Sequence, residues 1–578
     1  MQRQFTFFSV VLLTLFFVQE NSAASIFVSN KAELDTAVSQ AQPGDRIVIK
    51  NKVWTGVDFK LTCNGTASQP ITICAETPGG VSLEGGSRIE IGGDYLVVSG
   101  FKITNGSHTS GAVRFYSGSD FAYHSRLTDC LINDWGPSGT TDRIHWVMMK
   151  GGYNRIDHCE FSNMNHSGVT IRVRSGADQE GYHQIDHNYF GPKPGGDGNG
   201  YESIKVGDGD YSMYALNTIV EKNYFYRCNG EVEMISNKSW KNTYRYNTIV
   251  ECQGTITLRW GQQCIVEGNY FLGNGVENTG GVRITDKDHL IINNYFQNLE
   301  GDKARAAISI MSGIQNAEGG NSGHGQTKNA HILHNTIINC KESINMGYYD
   351  KDDLGDPRGP ITAPENCTLA NNLIWSSHAP LIKESWAPSI NTTWLSNIVF
   401  GAALGIDPNS GLIYQDPKLE LSSSNIYRVV PESPAINSGT PLDEPVLYDF
   451  ESQVRLDNMP DIGADEFSSE EVDAFPITQA DVGPHWNKDD LAIKTTKTHL
   501  LQIYPNPANQ KFTLALDRSL IGTTIKLDII NMSGKIVHSE LIFPSTVKHE
   551  ITVNHLIGLH MIRLQNGDGV YQFKILFI

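Results

Sequence analysis

Two carboxylates and a lysine lie close together in one segment, and an arginine follows. Glu231 and Glu233 are two residues apart, so on a β-strand they would project from the same face and could hold one hard cation between their oxygens. Lys238 comes five residues after Glu233, a spacing that a straight strand would send to the opposite face. A turn at residues 236–237 is therefore predicted to bring it back. With Arg259, this set predicts a metal site beside a base.

An internal repeat indicates the architecture that positions these residues. A short segment ends in Asn and then Tyr, Thr or Leu followed by Phe or Ile, at Asn188, Asn223, Asn247, Asn269, Asn294, Asn335 and Asn372. The steps from Asn223 to Asn294 are 24, 22 and 25 residues, which fits one coil of a right-handed parallel β-helix. Each Asn is predicted to bond the coils above and below through its amide. A series of β-sandwiches is the alternative, but it needs no such period.

Coil spacing also predicts where the cations lie. Arg259 is 21 residues after Lys238 and Arg283 is 24 residues after Arg259, so they are predicted to stack on one face. Lys205 lies one coil plus an insertion upstream and is predicted to extend this column. On a chain of net charge -18, the stripe would attract a linear polyanion locally. The alternative is a set of exposed charges on a solvated sheet face.

A third oxygen ligand is available for the cation. Asn199 falls one long coil before Glu231, so its amide oxygen could complete the site. Three protein oxygens with waters fit Ca²⁺ better than Zn²⁺, which prefers His or Cys. The alternative for the two glutamates is a pair that merely faces solvent.

Length and composition set the class of protein. A chain of 578 residues is long for one ordinary domain and suits a repeat architecture with appendages. Residues 1–24 contain Arg3, an apolar run and a small-residue exit, which predict a secretory signal peptide; the run is too short for a transmembrane anchor. The nine cysteines form no tight framework, so most are predicted to be buried thiols, with a few disulfides after export.

The ends of the solenoid are also visible in the sequence. Residues 30–41 have the apolar spacing of an amphipathic helix with Asn30 as N-cap, which would cap the open end of the core. The β-helix is predicted to cover residues 25–467. Residues 468–499 are acidic and irregular and are predicted to be a linker.

Residues 500–578 are predicted to form a small β-sandwich-like domain. Composition alone would also allow a carbohydrate-binding sandwich. The Tyr-Pro-Asn-Pro start at residues 504–507, the Asn-x-x-Gly-Lys turn at 531–535 and the Gly-x-x-x-Ile-Arg strand from Gly558 resemble the C-terminal sorting domain of the type IX secretion system. The resemblance implies that the type IX secretion machinery is a partner of this protein. It also implies export through the periplasm and outer membrane, with release or attachment at the cell surface.

Motifs along the solenoid carry a second resemblance. They comprise residues 65–73, 77–81, 145–146 and 154–159, the Glu-x-Glu-x-x-Ser-Asn-Lys run that ends at Lys238, and residues 258–259 and 279–284. Together they resemble polysaccharide lyase family 6, the chondroitinase B and alginate lyase group. The resemblance implies calcium ligands at Asn199, Glu231 and Glu233, a Brønsted base at Lys238, its catalytic partner at Arg259, and contacts to substrate carboxylates from Lys205 and Arg283.

The chain departs from the family pattern at two positions. Trp260 follows the catalytic arginine where the family often has His, and Lys205 stands where it often has Arg. Both departures bear on subsite preference. His324, in a nearby loop, is predicted to contact substrate, and a surface histidine without a role is the alternative.

The implied chemistry is β-elimination at a uronate. Removing the C5 proton next to a carboxylate creates a dianionic enolate, which Ca²⁺ would neutralise. Neutral Lys238 would take the proton, a state that Ca²⁺ and Arg259 favour by lowering its pKa. Arg259 would stabilise the enolate or protonate the leaving oxygen, and the product would carry an unsaturated uronate end. A hydrolase would instead need paired acids without a lysine base.

The sequence therefore predicts a secreted polysaccharide lyase whose partner is an anionic polysaccharide. Alginate is favoured on family frequency, with dermatan sulfate as the alternative. A non-catalytic surface glycan-binding β-helix is the alternative of another class, but the joint presence of the metal ligands, base and arginine speaks against it. Neither a nucleic-acid partner nor a transmembrane anchor is predicted.

Overall fold

The computed structural model describes residues 23–137, 143–196, 199–315, 324–351, 357, 359–443, 446–455, 459–468 and 476–487 of the larger unit. In the C-terminal unit it describes residues 502–509, 511–516, 524–531, 535–546, 548–553, 556–566 and 569–577. The predicted signal peptide lies, up to residue 22, outside the described residues. Among the described residues, no helix has the length and apolar character needed to cross a membrane.

Three long parallel sheets of 14, 14 and 12 strands wind into a parallel β-helix, and a complete coil contributes one strand to each sheet. Sheet 1 contains Ser25–Val28, Arg46–Ile49, Ile71–Ala75, Leu96–Ser99, Arg126–Thr128, Arg155–Asp157, Gln184–Asp186, Ile219–Glu221, Thr243–Arg245, Ile265–Glu267, Leu290–Ile292, His331–Leu333, Thr368–Ala370 and Thr393–Leu395. Sheet 2 contains Lys52–Thr55, Val81–Gly85, Phe101–Gly106, Leu131–Asn133, Glu160–Ser162, Tyr189–Phe190, Tyr224–Tyr226, Thr248–Val250, Tyr270–Leu272, Tyr295–Gln297, Thr336–Ile338, Leu373–Ser376, Asn397–Gly401 and Leu412–Tyr414. Sheet 3 contains Asp58–Leu61, Arg88–Ile91, Val113–Arg114, Val147–Met149, Ile171–Val173, Ile204–Val206, Ile235–Lys238, Ile256–Trp260, Val282–Ile284, Ile308–Met311, Ile344–Tyr348 and Ile382–Glu384. The predicted β-helix is confirmed, and the alternative of serial sandwiches is wrong.

The remaining short elements lie between the coils or after them. Paired short strands are Tyr116–Ser117 with Asp120–Phe121, Gly313–Ile314 with Ile361–Thr362, and Leu419–Leu421 with Tyr427–Val429. The 3₁₀ turns are Gly209–Tyr211, Lys303–Arg305, Gln479–Asp481 and His485–Asn487.

Stacked side chains hold successive coils together inside the solenoid. The Asn223 amide donates to Oδ1 of Asn247 at 3.1 Å, the Asn247 amide to Asn269 at 2.9 Å, and the Asn269 amide to Asn294 at 3.0 Å. These buried amides satisfy one another and the turn backbone, as the repeat predicted. All nine cysteines are buried free thiols, which confirms the predicted core thiols and leaves no disulfide.

The N-terminal helix Lys31–Gln40 closes one end of the core with Leu34, Ala37 and Val38. Asn30 caps it, since its side chain accepts a 3.0 Å hydrogen bond from the Glu33 amide and satisfies a donor that the first turn leaves open. The predicted capping helix is confirmed.

Residues 476–487, named here the strap, pack on the solenoid within the segment that the sequence predicted as a linker. Val482 is buried against Tyr189 of sheet 2. The His485 backbone amide and imidazole contact the Asp129 carboxylate at 3.0 and 2.5 Å, and the Trp486 indole donates to the Asp129 carbonyl at 2.7 Å. This part of the predicted linker is therefore a docked segment of the larger unit, which extends to residue 488.

The C-terminal unit, residues 489–578, has its own sheet and core. In sheet order its strands are Ile536–Ile542, Ile525–Asn531, Gly558–Asn566, Gly569–Phe577, Gln502–Asn509, Lys511–Ala515 and Lys548–Thr552. At the predicted turn the Lys535 amide donates to the Asn531 side chain at 3.0 Å, and residues 532–534 lie outside the described residues. The small all-β domain is confirmed.

Candidate active site

The outer face of sheet 3 carries the charged residues, but not in the predicted column. The strand register places Lys205 beside Ser236, Ser236 beside Thr257 and Thr257 beside Arg283. Lys205 and Arg283 therefore share one row with two hydroxyl residues between them. Lys238 and Arg259 lie further along their strands, so the prediction of one continuous column of four cations is wrong.

A β-bulge at the end of this row places the two central cations. The register shifts between Asn237 and Lys238, so Lys238 pairs with Trp260 and Arg259 becomes the extra residue. A bulge re-aims side chains locally. Lys238 Nζ and Arg259 Cζ both lie 5.2 Å from the centre of the Trp260 ring, within the range of cation–π attraction.

The carboxylates occupy the turn that precedes the strand. Glu231 and Glu233 come before Ile235–Lys238 and do not lie in a strand, and the predicted turn at residues 236–237 is wrong because both residues are in the strand. The real turn, ahead of the strand, brings the glutamates to the same side of sheet 3 as Lys238. The structure therefore brings the two glutamates and Lys238 together, but through a different local structure from the one that the sequence predicted.

The structure adds Glu202, which the sequence analysis missed. Ile204 pairs with Ile235, so Glu202 occupies in its coil the position that Glu233 occupies in the next. Carboxylate oxygens of Glu202, Glu231 and Glu233 lie within 4.8 Å of one another. A signal was present, since Glu202 stands three residues from both Asn199 and Lys205.

This acidic cluster fits a hard cation. Asn199 lines the same small cavity as the three glutamates, Lys238 and Arg259. Oε2 of Glu202 is buried and accepts no hydrogen bond from any described residue. Burial raises the pKa of Glu231 to about 8, with further contributions from Glu202 and Glu233. Three buried carboxylates repel one another unless a positive charge lies between them, and an all-oxygen set suits a hard metal ion.

Glu233 connects the acidic cluster to the cations. Arg259 donates to Oε1 of Glu233 at 2.8 Å, Lys238 Nζ lies 3.9 Å from Oε2, and Ser236 donates to Oε2 at 2.5 Å. Burial alone would raise the pKa of Glu233, but Arg259, Lys238 and Arg283 hold it well below its usual range. Glu233 is thus an anion that orients both central cations.

Lys238 has the environment of a base. Its side chain is 10% exposed, and burial lowers its pKa below 10.5, aided by Lys205 and Arg259 and opposed by Glu233. Desolvation favours the neutral amine, which is the form that can accept a proton.

Two predicted substrate contacts lie beneath the surface. Arg283 is fully buried, and its guanidinium is 3.4 Å from Asp350 and 3.2 Å from His324 Nε2. His324 is also fully buried, so the alternative of a surface histidine is wrong, and burial with the nearby Arg283 lowers its pKa well below 6.5. Their burial does not fit direct substrate contact. Arg283 instead contacts His324 and Asp350, a residue that the sequence analysis did not identify.

Comparison with protein families agrees with this geometry. Residues 28–439 match the family model described as Chondroitinase B, and residues 502–577 match the model described as Secretion system C-terminal sorting domain. The second match confirms the predicted sorting domain and the predicted secreted or cell-surface location. No curated protein matches the chain.

Solved structures give the same assignment. The family 6 alginate lyase AlyGC is 34% identical with a TM-score of 0.66, and the match covers 71% of this chain and 55% of AlyGC. A mannuronic-acid-specific family 6 lyase from human gut microbiota is 28% identical with a TM-score of 0.59, over 66% of this chain and 87% of that one. A family 6 lyase from Pseudopedobacter saltans is 25% identical with a TM-score of 0.58, over 69% and 98%. This chain therefore spans only about half the length of AlyGC.

Proposed function

Because the chain belongs to the chondroitinase B family, polysaccharide lyase family 6, we propose that it is a polysaccharide lyase that cleaves alginate by β-elimination. The observation that supports this most directly is Glu233, which contacts both Lys238 and Arg259 at the edge of a buried acidic cluster. A base, a second cation and a metal site within one small cavity are what proton abstraction beside a carboxylate requires.

Four residues at the site have distinct roles in this proposal. Lys238, whose side chain is largely buried, accepts the C5 proton. Arg259, held by Glu233, faces the developing negative charge of the enolate and the leaving oxygen. Lys205, 19% exposed in the floor row, binds a neighbouring carboxylate. Trp260 flanks both central cations and excludes water from them, which strengthens their electrostatic effect.

Ca²⁺ is the metal that we assign to Glu202, Glu231, Glu233 and Asn199. Four oxygen donors with room for waters match its coordination preference. When bound, it would neutralise the substrate carboxylate and make the C5 proton more acidic. Its position next to Glu233 also favours the neutral form of Lys238, in the same direction as burial does.

Alginate is proposed because the compared family 6 structures at 34% identity and at 28% identity are described as an alginate lyase and a mannuronic-acid-specific lyase. Dermatan sulfate is the second candidate, since the matching family model is described as Chondroitinase B. The signal peptide at residues 1–24 and the type IX machinery are proposed as the export route, consistent with the sorting domain at residues 502–577.

The test is the ultraviolet absorbance of unsaturated uronate when the full chain meets alginate or dermatan sulfate with calcium. A rise with one polymer supports the lyase and identifies its substrate. Exhaustive chelation should abolish the rise, and calcium should restore it. Binding without any rise, from a folded protein, would favour a glycan-binding β-helix, and full turnover after chelation would contradict the calcium role.

A further inference from the structure

A loop with exposed aromatic side chains follows the strand Ile204–Val206 of sheet 3. In the loop of residues 208–214, Tyr211 is 44% exposed, Met213 is 56% exposed and Tyr214 is 41% exposed. The two tyrosine rings lie 6.1 Å apart, centre to centre. Clustered apolar side chains at a surface usually mark a binding site.

The loop is fixed at its start by charged contacts. Asp208 accepts from Arg172 at 2.6 Å and pairs with Arg174 at 2.9 Å, both on the coil before Lys205. The Asp208 backbone amide donates to Ser175 at 2.8 Å. The start of the loop is thus held against the coil that precedes Lys205.

On its downstream side the same loop packs against Trp260, the ring that lies beside Lys238 and Arg259. A Cβ built on Gly209 would lie 2.4 Å from the Trp260 ring, so the loop backbone packs directly on that indole. Trp260 in turn lies 5.2 Å from Lys238 Nζ. The far end of the loop is tied to the solenoid, since the Trp240 amide donates to the Tyr214 carbonyl at 3.1 Å.

The loop and the carboxylates lie on opposite sides of the groove. Glu202 precedes the strand Ile204–Val206 and Asp208 follows it, so the length of the strand separates them. The floor between them carries Lys205 in register with Arg172. The acidic cluster therefore lies at one end of these strands, the loop with its exposed tyrosines at the other, and Lys205 and Arg172 between them; this outer face of sheet 3 is called the groove floor here, and the loop its aromatic wall.

We propose that residues 208–214 form a saccharide-binding wall in which Tyr211 and Tyr214 pack against the C–H faces of uronate rings next to the cleavage position. A uronan presents its carboxylates at ring edges and apolar C–H groups on ring faces. The basic side chains of the floor would bind the carboxylates, and the aromatic wall would pack against the C–H faces. The tyrosine hydroxyls would remain available to hydrogen-bond sugar hydroxyls. This inference rests on the proposed function, because it takes its substrate class from it.

The experiment compares the double variant Tyr211→Ala/Tyr214→Ala with Tyr211→Phe/Tyr214→Phe on alginate. The alanine pair should raise KM about tenfold, since two aromatic contacts are lost, and leave kcat within about twofold because neither ring contacts the reacting atoms. The phenylalanine pair should stay close to wild type. Tyr414→Ala is the control, an exposed tyrosine at the last strand of sheet 2 (56% exposed), and should leave KM and kcat unchanged.

Direct binding separates this inference from the proposed function. The dissociation constant for alginate oligosaccharides is measured on each full-length variant by calorimetry, with melting temperature and oligomeric state as checks on folding. Wild-type binding without turnover, weakened by the alanine pair, would contradict the lyase but support the wall. An unchanged KM and dissociation constant in the alanine pair, or a change in oligomeric state alone, would overturn the wall whatever the activity.

Discussion

Replacing Glu202 with Gln should stabilise the metal-free protein and weaken its affinity for calcium. Glu202 lies 2% exposed in the acidic cluster, and its Oε2 accepts no hydrogen bond from the described residues. Without a cation, its charge mainly repels Glu231 and Glu233. The Gln side chain keeps the shape of Glu but removes that charge. The same substitution therefore raises the stability of the metal-free protein and lowers its affinity for calcium.

The magnitude follows from the distances. Two unit charges 4.8 Å apart repel by about 3.5 kcal/mol at an effective dielectric constant of about 20. The substitution also loses the 3.4 Å pair between Glu202 and Lys205, which contributes at most about 1 kcal/mol at a partly exposed site. The net gain in unfolding free energy is about 2 kcal/mol. Calcium affinity should fall at least about 100-fold, the upper end of what losing a supporting partner costs.

The pH dependence gives a second signature. The pKa of Glu231 is raised from 4.5 to about 8 in the folded protein, so the folded state binds an extra proton and loses stability as pH rises through this window. Removing the Glu202 charge relieves part of that loss. The part of the stabilisation by Glu202→Gln that comes from Glu231 should therefore grow between pH 4.5 and 8, whereas the part that comes from Glu233, whose pKa is held well below its usual range, should change little across this window.

The assay is urea unfolding in a chelator across this pH range, followed by calcium titration calorimetry at neutral pH. Glu90→Gln is the matched control. Glu90 is also 2% exposed and on sheet 3, but it pairs with Arg88 at 2.8 Å and with Arg114 at 2.5 Å, so its neutralisation should destabilise the protein. If Glu202→Gln also destabilises the metal-free protein, or binds calcium as tightly as wild type, the electrostatic reasoning is refuted.

Three further predictions address the base, the solenoid and the strap. Lys238→Ala should keep its melting temperature and lose turnover. Because burial lowers the pKa of Lys238, the wild-type kcat/KM should rise with pH and reach its plateau below pH 10.5. A rise centred at or above pH 10.5 would contradict the assignment of Lys238 as the base. Asn247→Leu removes four buried side-chain hydrogen bonds of the ladder and should lower the unfolding free energy by at least about 2–3 kcal/mol, as urea unfolding would show. An unfolding free energy equal to that of the wild type would contradict the role of the ladder. Trp486→Ala should expose the strap to limited proteolysis; in the wild type, hydrogen bonds from His485 outweigh burial and lower the pKa of Asp129 below 3.8, so the stabilisation from this contact exists above pH 3.8 and is lost as the pH falls through the folded-state value.

The architecture could be predicted from the sequence because stacking demands the same residue at the same place in every coil. An Asn side chain satisfies the coils on either side only if each coil supplies one, so the period is visible without a structure. The capping helix is equally local, since Asn30 and Glu33 are three residues apart. The docking of the strap could not be predicted, because Trp486 and Asp129 meet across 357 residues with no local pattern.

The structure brings most of the predicted site residues together, but the geometry was not predicted, because coil lengths differ where loops are inserted. Ile204 pairs with Ile235, 31 residues on, whereas Ile235 pairs with Ile256, 21 residues on. Counting by a constant step therefore placed the cations in one column and left Glu202 unnoticed. Burial of Arg283 and His324 was also invisible, since it depends on the inserted loop that contains His324.

The bulge at Lys238 explains how two cations can share one anion. With an unbroken register, Lys238 would pair with Arg259 on the next coil, and two like charges would lie about 4.8 Å apart along the sheet. The bulge places Trp260 opposite Lys238 instead, so both cations reach Glu233 with an aromatic ring between them and solvent. In the proposed mechanism Glu233 would therefore serve the metal site and the base at once, whereas the cation paired with Glu202 is Lys205. Glu233→Gln should thus lower both calcium affinity and kcat at saturating calcium, while excess calcium should restore kcat in Glu202→Gln. A kcat that recovers equally in both variants would show that the base does not depend on Glu233.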